Sequence, residues 1–168
     1  MTTYHIAPMS PLILGLTIMM LAILVFFLSA GFLGYPAMFI PGILLLVLYT
    51  WVWVRFRPNR FVIHADILQI IWPLKRQQIP RSDITDIRIM NGKGLREEAG
   101  WCLRIGAGGL WGAFGWLWTS QRGIVQMYIS RTDELIWIER GRDRPWLITP
   151  EKPEVFVNEL SSKQEPGS

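Results

Sequence analysis

Between Pro11 and Val54 the chain contains no Asp, Glu, Lys or Arg, and an uncharged run of that length restricts the fold more than any other feature. At about 1.5 Å of rise per residue, roughly twenty residues cover the ~30 Å hydrocarbon core of a bilayer. The run supplies two such segments, 11–30 and 37–54, divided by Gly31-Phe32-Leu33-Gly34-Tyr35-Pro36, whose glycines and proline break helices. The expectation is two transmembrane helices and a tight turn. Trp51 and Trp53 lie where the second helix would meet the headgroups, and Arg55, Arg57 and Arg60 follow at once. Because the turn carries no cation, the positive-inside rule puts both termini and the rest of the chain on the cytoplasmic side. Two alternatives stand beside this reading. A cleaved signal peptide would need a basic leader that residues 1–10 lack, and a buried soluble hairpin would leave too little protein to cover it.

All the charge lies outside this run: 17 Lys and Arg against 13 Asp and Glu give a formal net charge of +4. So small an excess suits anionic headgroups or an ordinary cytoplasmic surface equally. Cys102 is the single cysteine, which excludes an internal disulfide and a multi-cysteine zinc site. Residues 55–160 have the size of one compact domain, and 161–168 read as a flexible polar tail.

From Arg60 the pattern changes to short strands at 61–63, 67–72, 77–80 and 84–90, separated by His64-Ala65-Asp66, Pro73-Leu74-Lys75-Arg76 and Pro80-Arg81-Ser82-Asp83. Asn91–Glu98 reads as a polar loop. Residues 100–118 are both apolar and glycine-rich, and Gly106, Gly108, Gly109, Gly112 and Gly115 argue against a regular strand or helix there. The expectation is an irregular loop whose Trp111, Trp116 and Trp118 touch the bilayer or the hairpin. A third span and a loop folded over the domain's own core are the alternatives. Strands resume at 124–130, 134–140 and 144–148, with hairpin signals at Arg131-Thr132-Asp133 and Gly141-Arg142-Asp143. A short amphipathic helix follows Thr149-Pro150-Glu151-Lys152-Pro153-Glu154.

Seven short strands and one closing helix is the order of a pleckstrin-homology (PH) fold. Phe61-Val62-Ile63, Ile67-Leu68-Gln69-Ile70 and Gln78-Ile79-Pro80-Arg81-Ser82-Asp83-Ile84 resemble the opening of bacterial PH-like domains. The glycine-rich segment and Pro153-Glu154-Val155-Phe156 resemble the loop and helix start of members that follow membrane hairpins. The resemblance implies an α+β, mainly β module: a seven-stranded sandwich or partly open barrel with a C-terminal capping helix, tethered by the transmembrane hairpin. It implies no catalytic chemistry and no cofactor. Phosphoinositide-binding relatives use a long basic loop between the first two strands, and here that loop is only His64-Ala65-Asp66. Lys75, Arg76, Arg140, Arg142 and Arg144 remain as candidate contacts to anionic lipid, each worth about 1 kcal/mol at the surface.

The residues offer no reaction site. His5 and His64 form no metal-ligand spacing with Cys102, and Gly106-Ala107-Gly108-Gly109-Leu110-Trp111 has a tryptophan where a dinucleotide fingerprint needs its third glycine. No nucleic-acid motif occurs. The expected function is therefore non-enzymatic: a membrane protein whose domain binds a membrane or cytoplasmic protein partner, or assembles with its own copies. Exposed edge strands, 134–140 among them, are the expected contact sites. The alternatives are an anionic-lipid or envelope-stress sensor and an accessory subunit of a transporter or membrane enzyme.

Overall fold

The computed structural model describes residues 1–141 and 143–162. Thr2–His5 forms the first strand, β1, and the chain then enters α1 (Pro11–Phe32), a 3-10 turn at Pro36–Met38, and α2 (Phe39–Arg55). Both helices are long and apolar enough to cross a membrane. In each, only 17% of the most apolar stretch is buried, unlike a helix at the centre of a soluble core. Their mutual packing is close, since a Cβ at Gly42 would come within 2.8 Å of Leu28 Cδ2.

After α2 come β2 (Arg60–Ile63), β3 (Ile67–Ile71) and β4 (Arg76–Pro80), which with β1 form a four-stranded antiparallel sheet in the order β1-β2-β3-β4. The pairing of β1 with β2 returns both ends of the helical hairpin to one place, with Tyr4 opposite Phe61 and His5 opposite Arg60. A 3-10 corner at Arg81–Asp83 carries the chain to β5 (Ile84–Met90), then α3 (Gly92–Ala99), β6 (Cys102–Gly108), β7 (Ala113–Thr119), β8 (Gly123–Ile129), β9 (Leu135–Arg140), β10 (Trp146–Ile148) and α4 (Pro153–Ser161). The second sheet has six strands in the order β5-β9-β10-β8-β7-β6.

One apolar core lies between the sheets, where Phe61, Leu68, Ile70, Ile79, Ile138 and Trp146 meet Phe156 and Leu160 of α4. A second lies on the other face of the six-stranded sheet, where Leu117, Met127, Trp137 and Leu147 are joined by Leu95 of α3. Strands β9 and β10 therefore bury side chains on both faces and read as nearly continuous apolar runs. The expected sandwich with its C-terminal helix is present, and all seven expected strands form.

The N-terminal segment supplies β1, with Tyr4 buried in the first core. Three local expectations are corrected. Asn91–Glu98 is not a loop, because the Asn91 side chain accepts the Gly94 amide at 2.8 Å and caps α3. Residues 131–133 do not close a hairpin: β10 inserts between β8 and β9, pairing parallel with β8 and antiparallel with β9. Strand 134–140 is consequently an interior strand and offers no edge. The largest correction concerns 100–118, where β6 and β7 pair in register over seven positions and set Gly106 opposite Gly115. Both glycines have positive φ, 144° and 127°. A Cβ on Gly106 would lie 2.3 Å from the Phe114 carbonyl oxygen, and one on Gly115 would lie 2.5 Å from that of Ile105. These glycines permit two backbones to pass at a distance no side chain allows, so they make the ladder instead of breaking it.

The closing helix is fastened from two directions. Arg81 is buried, and its guanidinium donates to the carbonyls of Leu160 and, at 2.9 Å, Glu159, satisfying groups at the helix end that have no intrahelical donor. Thr2 and Tyr4 donate to the Glu159 carboxylate at 2.5 Å each. Burial, with the neighbouring carboxylate, pushes the Tyr4 phenol up to about 12. For Glu159, burial acts upward, but the bonds from Thr2 and Tyr4 and the charges of the N-terminus and Arg81 outweigh it and hold the carboxyl low.

A group whose folded pKa is depressed stabilises the fold above its unfolded value and loses that contribution as pH falls through the folded one. Glu159→Gln is therefore expected to lower Tm at neutral pH, and the gap from the parent should close as pH drops below the ordinary carboxyl value of 4.5. Thermal melts across that range check it. Gly115→Ala is expected to destabilise the domain by at least about 2 kcal/mol in denaturant titrations, because both the space and the backbone conformation oppose a side chain.

Candidate functional site

The surface that sets this domain apart lies where the β6–β7 hairpin meets the two long helices. The hairpin tip, residues 109–112, turns through positive φ at Gly109, Trp111 and Gly112, and the Gly109 amide bonds the Gly112 carbonyl at 3.0 Å. The turn projects Leu110 into a cluster with Leu24, Tyr49 and Val52, flanked by Met20 and Leu28. Thr17, buried in α1, fixes the contact. Its hydroxyl oxygen accepts the Trp111 amide at 3.0 Å and lies 2.9 Å from the Gly109 carbonyl and 2.8 Å from that of Ile13. Tyr49 Oη bonds the Met20 carbonyl at 3.2 Å and braces α2 against α1 at the same level.

Two further ties lock the hairpin to the domain. On the entry side, the Ala7 amide donates to the Thr149 carbonyl and the Ser10 amide to that of Ser130, while Ser130 Oγ donates to the Ala7 carbonyl at 2.6 Å. On the exit side, Trp72 Nε1 donates to the Phe56 carbonyl at 3.1 Å. Trp72 then stacks edge-on against Tyr128, and Tyr128 against Trp146, so aromatic rings run from the end of α2 into the core. Burial pushes the Tyr128 phenol up, and the charge of Arg55 opposes it.

The structure gathers most of the expected membrane-interface residues here. Trp53 meets Trp111 edge to face at 4.6 Å, and Arg57 lies over the Trp53 ring at 4.2 Å, a cation–π contact. Trp51, Arg55 and Trp116 line one groove together with Phe56, Trp72, Lys75, Gly115 and Tyr128. Trp118 lies two residues further along β7, between Leu103 and Ile124 of the neighbouring strands. Arg60 and Arg76 are exposed and flank Ile71 in one row across the first sheet. Among the lipid-contact candidates, Lys75 lies over Trp72 at 5.5 Å, so it joins the groove. Arg140 does not: it is buried, bonds Asp143 at 2.6 Å and lies over Trp146, in a recess that also holds Asp83 and is poorly suited to an anion. Arg144 is exposed beside it, and Arg142 lies outside the described residues.

Sequence reasoning missed Thr17, Leu103, Ile105, Leu110 and Ile124. Thr17 had a signal, as one of few hydroxyl residues in the uncharged run. Leu103, Ile105 and Ile124 had none, because which face of a strand is outward depends on the pairing. Among the described residues no group of three His, Cys, Asp or Glu side chains could hold a metal ion.

Two packed sheets plugged by a C-terminal helix define a PH-like domain. Residues 59–164, more than half of the chain, match the family model for the bacterial PH domain, and the chain belongs to that family. No curated protein and no solved structure matches it.

Thr17→Val would leave the Trp111 amide and the Gly109 carbonyl without their buried partner. The expected cost is about 1–3 kcal/mol, read as a lower Tm of the full-length protein in detergent and faster proteolysis at residues 109–112. Thr17→Ser should restore both.

Proposed function

We propose that this protein spans a bacterial inner membrane twice and holds its PH domain in the cytoplasm as a non-enzymatic interaction module, in which the free edge of β6 takes up an extended segment of a protein partner. The spans are supported by two long apolar helices left largely uncovered, and the orientation by Arg55, Arg57 and Arg60 after α2. One observation carries the binding site. Strand β6 ends the six-stranded sheet, and among the described strands it alone has no buried residue. In an antiparallel edge strand every second residue turns its amide and carbonyl away from the neighbouring strand, and a long apolar edge is a template for strand addition. Beside the start of β6 lies a cleft lined by Arg96, Gly100, Trp101 and Cys102, where a partner side chain has room beside a cation. Anchoring raises the local concentration of such a module at the membrane, so weak edge contacts suffice.

Proline introduced in turn at Leu103 and Arg104 of the full-length protein tests the site. One of two successive amides bonds β7 and the other faces outward. One variant should therefore lose stability, while the other keeps the parent Tm and loses at least about tenfold in partner crosslinked in native membranes, as expected for a broken docking strand. Undiminished crosslinking by both variants would remove β6 from the site. A product at twice the chain mass would make the partner a second copy.

A further inference from the structure

Leu103, Ile105, Trp116, Trp118 and Ile124 form one exposed apolar patch on a single sheet face. Leu103 is opposite Trp118, which is opposite Ile124, and Ile105 is opposite Trp116. Their exposures run from 38% to 50%, high for five large apolar side chains in mutual contact range on a well-paired sheet. We infer that this face is seated in the headgroup–acyl boundary of the lipid bilayer, so that the PH domain lies on the membrane through β6, β7 and β8 as well as hanging from its two helices.

The inference rests on α1 and α2 being membrane spans, and the hairpin tip then sets the depth. Thr17 and Met20 meet the tip, and they lie six and nine residues into α1, or about 9 and 14 Å from its start. The tip is thereby placed inside the slab that the helices cross. Ile105 precedes Gly109 by four residues, at most ~14 Å along an extended strand, which puts the patch at the level where α1 begins and α2 ends. That level is the headgroup zone. The chemistry of the patch fits it: two tryptophans among aliphatic side chains, continuous through Trp116 with a groove that holds Trp51, Arg55 and Lys75. Trp51 is itself 60% exposed at the end of α2, so the lipid-facing surface of the helix runs into the patch with the cations at its rim. Indole rings and cations side by side are the composition of a membrane boundary, where a ring buries its apolar body and the cation meets phosphate. The patch side chains stand perpendicular to the sheet while the β6 edge lies in its plane, so seating this face leaves the edge open to a partner.

The test uses full-length protein in nanodiscs of phosphatidylethanolamine and phosphatidylglycerol. In a Cys102→Ala background, single cysteines at Ile105, Trp116 or Ile124 carry an environment-sensitive fluorophore, with Leu44→Cys in α2 as the lipid control and Val155→Cys in α4 as the aqueous control. Leu103 and Trp118 replace any position whose variant does not fold. The patch labels should be quenched at least about threefold more by lipids bearing a nitroxide near the headgroup than the label at 155, and protected from iodide to a similar degree. Labels that behave like position 155 while position 44 reports lipid would overturn the seating alone. Protection from both quenchers would show that protein covers the face, which also overturns it. An aqueous signal at position 44 would refute the spans and the seating together.

Discussion

The pairing of Thr2–His5 with Arg60–Ile63 closes the structure on which everything else depends. A hydrophobic excursion of two helices leaves the domain after His5 and returns at Arg60, and the ladder between these strands requires both helix ends to meet at one place. With the ends joined, α1 and α2 must run antiparallel, and the small residues where they approach, such as Gly42 beneath Leu28, let them pack. The same strand brings Tyr4 into the core and onto Glu159, so the start of the chain and its closing helix share one set of hydrogen bonds.

The helical pair is consequently part of the domain's architecture and more than a tether. Three separate contacts oppose rotation of the hairpin: the backbone bonds at Ala7 and Ser10, the Trp72 indole on the Phe56 carbonyl, and the β6–β7 tip held by Thr17. The tip carries the greatest consequence, because an apolar residue, Leu110, and two backbone groups enter a largely apolar surface. Thr17 supplies the polar partner that makes this insertion tolerable away from water.

The six-stranded sheet divides its work between two ends. Its β9 and β10 strands carry apolar side chains on both faces and form the rigid centre. Its β6 and β7 strands extend beyond the cover of the first sheet, so the face that would otherwise be core is left open and the last edge is left free. The exposed apolar side chains of β6, β7 and β8 and the free edge of β6 lie together at this uncovered end, against the hairpin. The short turn at His64–Asp66, where the His64 amide bonds the Ile67 carbonyl at 2.9 Å, has no room for a phosphate-gripping loop.

The sequence alone determined the two apolar helices, because twenty uncharged residues in a row have few other uses, and it determined seven strands and the capping helix, because period-two alternation and turn residues are local properties. The bacterial PH resemblance followed from that order. It did not determine β6 and β7, since glycine reads locally as a breaker and only the partner strand shows that Gly106 and Gly115 face each other across a gap too narrow for a Cβ. Nor did it determine that β10 inserts between β8 and β9, which made an interior strand of an expected edge. Of the candidate site, Trp51, Trp53, Trp111 and Trp116 could be singled out from their chemistry, and the fold brings them together where the hairpin meets the domain, whereas Leu103, Ile105 and Ile124 could not. Local sequence fixes which residues are apolar and how they alternate, but which face meets a core, a helix or open space is settled by strand order and register, and those exist only in the folded chain.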